Sequence, residues 1–237
     1  PGSDGRTAQV LNPDRYASER FPQQVLELQA WITGTPLPVG HPGHGVFAYP
    51  SSDTTPDIWM LGSSDYGAQL AAHLSLPYAF AYFITEGQGL EAALDLYRQN
   101  FRPTEERPRP HATVCVWALA ADTEEQAWHL FKSRARWRMD RNLGRIGPIL
   151  PPDEAERDYS PAEQLALAQL KANALVGSGP QVANKLRALA QRMDIDEIVV
   201  ITWTHDPVHQ RRSYELLAKE FAWGQRAPSP ELETALS

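Results

Sequence analysis

The segment Ile58–Pro77, IWMLGSSDYGAQLAAHLSLP, constrains this chain more than any other. Its apolar run Ile58–Leu61 fits a buried strand, Gly62-Ser63-Ser64 fits a polar turn, and the residues from Asp65 onward fit the start of a helix. Leu76-Pro77 then delivers the chain into a second apolar run, Tyr78–Ile84. Strand, turn, helix, strand is a parallel-sheet unit, because parallel neighbours need a crossover that returns the chain to the same end of the sheet. The turn offers two hydroxyls and the unpaired N–H groups of a helix start, an arrangement that attracts anions.

Four strand-like runs recur along the chain: Ile58–Leu61, Tyr78–Ile84, Thr113–Leu119 and Glu197–Trp203. Their β-branched and aromatic content, with little alternation, predicts strands covered on both faces. Between and around them lie helical stripes: Val25, Leu28 and Ile32; Leu90, Leu94 and Tyr97; Val182, Leu186, Leu189 and Met193; Tyr214, Leu217 and Phe221. Each repeats at intervals of three and four, which predicts an amphipathic helix with a core-facing stripe. The alternation predicts an α/β fold with a parallel sheet and right-handed crossovers. Four such units are half of an eight-stranded barrel, or a small open doubly wound sheet, and spacing does not separate the two.

Three stretches interrupt this rhythm. Gly34–Pro56 reads as an irregular loop, and Arg102–Pro110 as a charged, proline-rich link. Ser133–Pro161 carries Arg134, Arg136, Arg138, Arg141 and Arg145, then Asp153, Glu154, Glu156 and Asp158. It reads as a solvated helix face running into a mobile loop. The opening Pro1-Gly2-Ser3-Asp4-Gly5 reads as a loop after a strand, without an initiator Met, so the chain reads as N-terminally incomplete. The expected domain is 1–223, with 224–237 as a flexible tail.

Charge and composition exclude several function classes. The 237 residues carry a net charge of −7, which argues against a nucleic-acid partner. No apolar run reaches the roughly 18–20 residues of a membrane helix. Cys115 stands alone, so there is no intrachain disulfide and no thiolate metal cluster, and a reducing, cytoplasmic setting fits. It reads as a small buried strand residue. His205 and His209 are four apart but lack a third ligand, and His41-Pro42-Gly43-His44 has no carboxylate or thiolate at ligand spacing, so no metal is expected. His205 and Asp206 directly follow the last predicted strand. They could serve as general acid or substrate contact, or cap the following helix. Gly177-Ser178-Gly179-Pro180 is too short for a nucleotide fingerprint, and Ser178 reads as a helix cap.

The string LGSSDYGAQLAAHLSLPYAFAYF resembles the luciferase-like monooxygenases, the flavin-dependent barrels related to bacterial luciferase. FPQQVLELQAW, FRPTEERPRPHATVCVWALAADTEEQAWHLF and VGSGPQVANKLRAL…DEIVVITWTHDPVHQRRSYELLA follow in the family's order. The opening PGSDGRT resembles the loop after the family's fourth strand. The resemblance implies a (β/α)8 TIM barrel of which only the C-terminal half, about strands five to eight, is present here. It implies reduced FMN as cofactor, O2 and a small organic molecule as substrates, a separate flavin reductase as electron donor, and a homo-oligomer. It places Ser63 and Ser64 at the FMN phosphate, and Leu61, Gly62, Tyr66 and Tyr82 around the cofactor. The resemblance names no catalytic residue in this half. Read from the residues alone, Ser64 is also an N-cap, and Leu61, Gly62, Tyr66 and Tyr82 are also packing positions. Two other functions stay open: a catalytically inactive half-barrel remnant acting as a flavin-binding or assembly subunit, and a phosphosugar barrel that shares the anion site.

Overall fold

The computed structural model describes residues 5–14 and 16–222. Of the expected opening loop, Pro1–Asp4 lie outside the described residues and Gly5–Thr7 are helical instead, and the tail expected at 224–237 also lies outside them. The chain divides between Trp59 and Met60 into two compact units.

The first unit holds α1 (Gly5–Leu11) and α2 (Ala17–Thr33). From Gly34 to Trp59 there is no helix or strand, as the proline and glycine content predicts. Of the expected α2 stripe only Val25 is buried, while Leu28 is exposed, so the spacing there reports helix and not core. The two loop histidines have structural partners. His41 Nδ1 accepts the Gly43 N–H at 3.0 Å, which puts its proton on Nε2, and Nε2 donates to Glu27 Oε1 at 3.0 Å. His44 Nδ1 donates to the Leu37 carbonyl at 2.7 Å.

The second unit is a five-stranded, all-parallel sheet with its helices. In order it comprises β1 (Met60–Gly62), α3 (Asp65–His73), β2 (Tyr78–Ala81), α4 (Tyr82–Thr85), α5 (Leu90–Asn100), β3 (Ala112–Ala121) and α6 (Glu124–Asn142). There follow α7 (Pro152–Ala155), α8 (Pro161–Ala172), β4 (Leu175–Ser178), α9 (Gly179–Met193), β5 (Ile198–Ile201) and α10 (Pro207–Glu220). The four expected strands form one path, β1-β2-β3-β5. Gly62 sits opposite Phe80, Phe80 opposite Val114, and Val114 opposite Ile198. β2 and β5 pair with overlapping residues of β3, so they occupy its two opposite edges. β3 runs on beyond them, and Ala118–Ala121 pair with β4.

Four expectations need correction. β4 was not anticipated: Leu175–Ser178 is four residues long and ends in Gly-Ser, so it reads as a turn before a helix. The strand expected over Tyr78–Ile84 stops at Ala81, and Tyr82–Thr85 turn into α4. A short apolar run carries no period that separates strand from helix. Ser133–Pro161 opens with ten residues of the 19-residue α6, as a helix face predicts, but Arg134 on that face is buried and not solvated. In α10 only Leu217 of the predicted stripe is buried, while Tyr214 and Phe221 are exposed, and the Tyr214 hydroxyl accepts the Thr202 N–H at 2.9 Å.

The stripes of α5 and α9 are buried as predicted. Tyr97 on α5 packs against Tyr78 with ring centroids 5.4 Å apart. Its buried hydroxyl lies 2.9 Å from the Leu76 carbonyl and 3.1 Å from that of His111, and accepts the His111 N–H at 3.1 Å. One phenol therefore ties the segments that enter β2 and β3. Cys115 on β3 is half-buried, and burial followed by the Glu197 charge pushes its thiol pKa up. Tyr97→Phe should lower stability by about 1–3 kcal/mol, because two backbone groups lose a buried partner. Urea denaturation of both proteins checks this, and an unchanged midpoint would refute the role given to the hydroxyl.

Candidate functional site

The turn after β1 is shaped by two glycines. A Cβ on Gly62 would stand 3.3 Å from the Gly67 Cα, and one on Gly67 would stand as close to the Gly62 Cα. Their absence lets α3 begin tight against the strand that precedes it. Ser64 occupies the N-cap position with extended backbone (φ −139°, ψ 165°), yet its side chain makes no capping bond. Ser64, Asp65 and Tyr66 at the start of the nine-residue α3 are exposed, and that helix start carries N–H groups without intrahelical partners. Asp65 follows in the first turn, where its charge complements the helix dipole and competes with an incoming anion.

The six residues expected around a cofactor fall into two groups. Leu61 (55% exposed), Ser63, Ser64 and Tyr66 (54% exposed) are accessible at the end of β1, with Gly62 half-buried among them. Gly62 also lies under Tyr78, whose hydroxyl donates to the Gly62 carbonyl at 3.3 Å. Tyr82, by contrast, is buried at the end of β2 and lines a cleft of about 690 Å3 that the other five do not line. Register places Gly62 opposite Phe80, so both groups follow neighbouring strand ends.

The cleft beside Tyr82 lies among the turn after α4, α6, α8 and the end of α9. That turn is unusual backbone. Glu86 has φ +53°, and Gly87 and Gly89 have φ +88° and +81°. At Gly87 a Cβ would stand 2.4 Å from the Tyr82 ring, so the turn lies directly on the aromatic face. Burial, then the Glu86 charge, raises the Tyr82 phenol pKa and keeps it protonated at neutral pH.

Glu86 leads to a cluster that the sequence reading had placed on a solvated face. Arg134 of α6 is only 2% exposed, and its Nη2 donates to Glu86 Oε1 at 2.7 Å. Its guanidinium lies 4.3 Å from the centre of the Trp117 ring and 5.4 Å from that of Trp203. Trp203 meets Trp137 edge-on at 5.6 Å and Phe83 at 6.0 Å. One turn on, Arg138 donates to the Ile84 carbonyl and stands 3.9 Å from Glu86. Desolvation lowers the Arg134 pKa and raises that of Glu86, and in each case it outweighs the attraction between the two. Glu86, Arg134 and Arg138 were missed as a group. The available signal was the i, i+4 spacing of the two arginines around Trp137, which puts them on one helix face.

The remaining candidates have other partners. Asp206 caps α10 by accepting the Val208 N–H at 2.8 Å, as the cap reading expected. His205 Nδ1 donates to the Ile149 carbonyl at 2.8 Å. At the start of α9 the Gln181 side chain accepts the Ser178 N–H at 2.8 Å. Among the described residues no group of three or more His, Cys, Asp or Glu is placed to hold a metal ion. Nor is any helix long and apolar enough to cross a membrane.

The profile of the luciferase-like monooxygenases matches residues 25–196. A luciferase-like monooxygenase of Escherichia coli (strain K12) is 36% identical over 220 residues, covering 91% of this chain and 63% of that protein. The Bacillus subtilis (strain 168) protein YvbT is 33% identical over 219 residues, covering 92% of this chain and 64% of that one. This chain therefore spans less than two thirds of the length of either. The crystal structure of apo-MsnO8 has a TM-score of 0.73 to it at 26% identity, over 92% of this chain and 71% of the other.

Removing one partner of the buried pair should be costly. Arg134→Met strands Glu86 and should lower stability by about 3–5 kcal/mol. The pH response carries a sign. The carboxyl of Glu86 is raised in the folded state, so its contribution to stability is fullest below the ordinary carboxylate range and fades as pH rises through the raised value. Denaturation midpoints followed from about pH 4 to about pH 8 should show that fading in the parent chain and less of it in Glu86→Gln. Parallel profiles would refute the assignment.

Proposed function

The chain belongs to the luciferase-like monooxygenase family, and on that premise we propose that it is the C-terminal portion of an FMN-dependent monooxygenase barrel. The β1-β2-β3-β5 path supplies four neighbouring parallel strands, and among the described residues β1 and β5 each pair on one edge, which suits half of a (β/α)8 ring. The domain of the proposal is 1–223. Active sites of such barrels sit at the C-terminal ends of the strands, where Ser63, Ser64 and Tyr82 follow β1 and β2.

The observation that carries the reading is the uncommitted Ser64 hydroxyl at the start of α3. Ser63 and Ser64 hold the FMN phosphate, with the N–H groups of α3 as further donors. A phosphate there requires that the Asp65 carboxylate point away from it. Leu61, Gly62, Tyr66 and Tyr82 border the rest of the cofactor. Reduced FMN, when bound, supplies the electrons with which O2 is activated toward a small organic substrate. The residues of this chain bind and orient, and the aromatic wall of Phe83, Trp137 and Trp203 excludes water. A separate flavin reductase supplies the reduced cofactor, and self-association covers the single-sided strands.

Titration of the 237-residue chain with FMN should give saturable binding, followed by flavin fluorescence. Ser64→Asp places a second negative charge at the phosphate and should weaken binding by at least about a hundredfold. Full binding by that variant would overturn the phosphate assignment. Absence of binding by the parent chain would overturn the cofactor reading for this portion.

A further inference from the structure

Resting on that flavoenzyme reading, we propose that the cleft beside Tyr82 is the substrate site, and that its substrate is a small organic carboxylate bearing a further hydrogen-bonding group such as an amide. At about 690 Å3 the cleft has the size of a small-molecule pocket. Two guanidinium groups line it, Arg138 from α6 and Arg192 from the last turn of α9. The one carboxylate in its wall, Glu86, is already matched by Arg134 at 2.7 Å behind it. The wall therefore carries a net positive charge inside a protein whose overall charge is −7. An anion drawn to this chain is drawn by that local field and not by the surface as a whole.

The two arginines differ in how they are held. Arg138 is fixed by the Ile84 carbonyl and by Glu86, so its planar fork is pre-oriented. Arg192 has an exposed ion-pair partner, Glu91, 3.8 Å away, a contact that a ligand carboxylate can replace. The carboxamides of Gln169 and Asn173 also line the cleft and can both donate and accept. Tyr82 adds an apolar ring and a phenol that stays a donor at neutral pH. An uncharged, purely apolar substrate would leave these groups without partners. A carboxylate with an amide uses both sets.

The probes are N-acetyl-L-leucinate and its uncharged methyl ester, compared by ligand-observed NMR titration of the 237-residue chain. The acid should bind saturably, and the ester at least about tenfold more weakly, since a charge-assisted hydrogen bond is lost. Arg192→Gln, an exposed position whose folding is confirmed by an unchanged melting temperature, should weaken the acid about five- to tenfold and leave both the ester and FMN unchanged. Ser64→Asp should weaken FMN and leave the acid unchanged. Equal binding of acid and ester, failure of both to bind, or an Arg192→Gln variant that binds the acid normally would overturn the proposal. So would an Arg192→Gln variant that loses FMN and keeps the acid, since the cleft would then hold the cofactor phosphate. Carboxylate binding without FMN binding would sustain the anion site and count against the flavin reading alone.

Discussion

A guanidinium removed from water holds the mouth of this sheet together. Arg134 joins four segments that are distant in sequence: Glu86 after β2, Trp117 on β3, α6 itself, and Trp203 after β5. A buried charge of this kind is unfavourable unless its surroundings compensate it. Here the Glu86 carboxylate and the rings of Trp117 and Trp203 compensate it. The dependence runs both ways. Glu86 keeps its left-handed backbone where two arginines of α6 reach it, and α6 keeps its place over β3 where Trp117 and Trp203 enclose its arginine. The cleft beside Tyr82 inherits its shape from that arrangement.

Charge is organised by pairing. Arg136 meets Asp140 at 2.6 Å, Arg157 meets Glu163 at 2.5 Å, and Lys132 meets Glu156 at 2.8 Å. Several charges in and around the segment read as a solvated helix face and mobile loop are thus held in local ion pairs. Glu163 also takes the Ser160 N–H at 2.9 Å, closing a capping box at the start of α8, which helps hold its carboxyl pKa down at about 2. What remains unmatched in the cleft wall is a small surplus of positive charge.

The parallel architecture was legible because every crossover repeats one pattern, an apolar run followed by a stripe with helical spacing. α5 and α9 lie where Leu90, Leu94, Tyr97, Val182, Leu186, Leu189 and Met193 put them. The start of α3 at Asp65 was legible from Gly62-Ser63-Ser64. Burial of single polar residues was not. A run of arginines looks alike whether its members face water or a tryptophan, and only tertiary packing separates Arg134 from Arg141. β4 was hidden for a related reason. Its four residues pair only with the far end of β3, so nothing local distinguishes them from a turn. The Gly62–Gly67 approach was equally silent, since sequence marks a glycine but not the atom that would strike its missing side chain.

The position of Cys115 gives the sheet a reporter of its own motions. It is the one cysteine of the chain, and it sits on β3 opposite Ala81 on one side and Val199 on the other. Its thiol is half-buried and its pKa is raised, so little of it is thiolate in neutral solution and an alkylating reagent reacts slowly with the folded sheet. Any opening of the central strand that bares the thiol further adds to that rate.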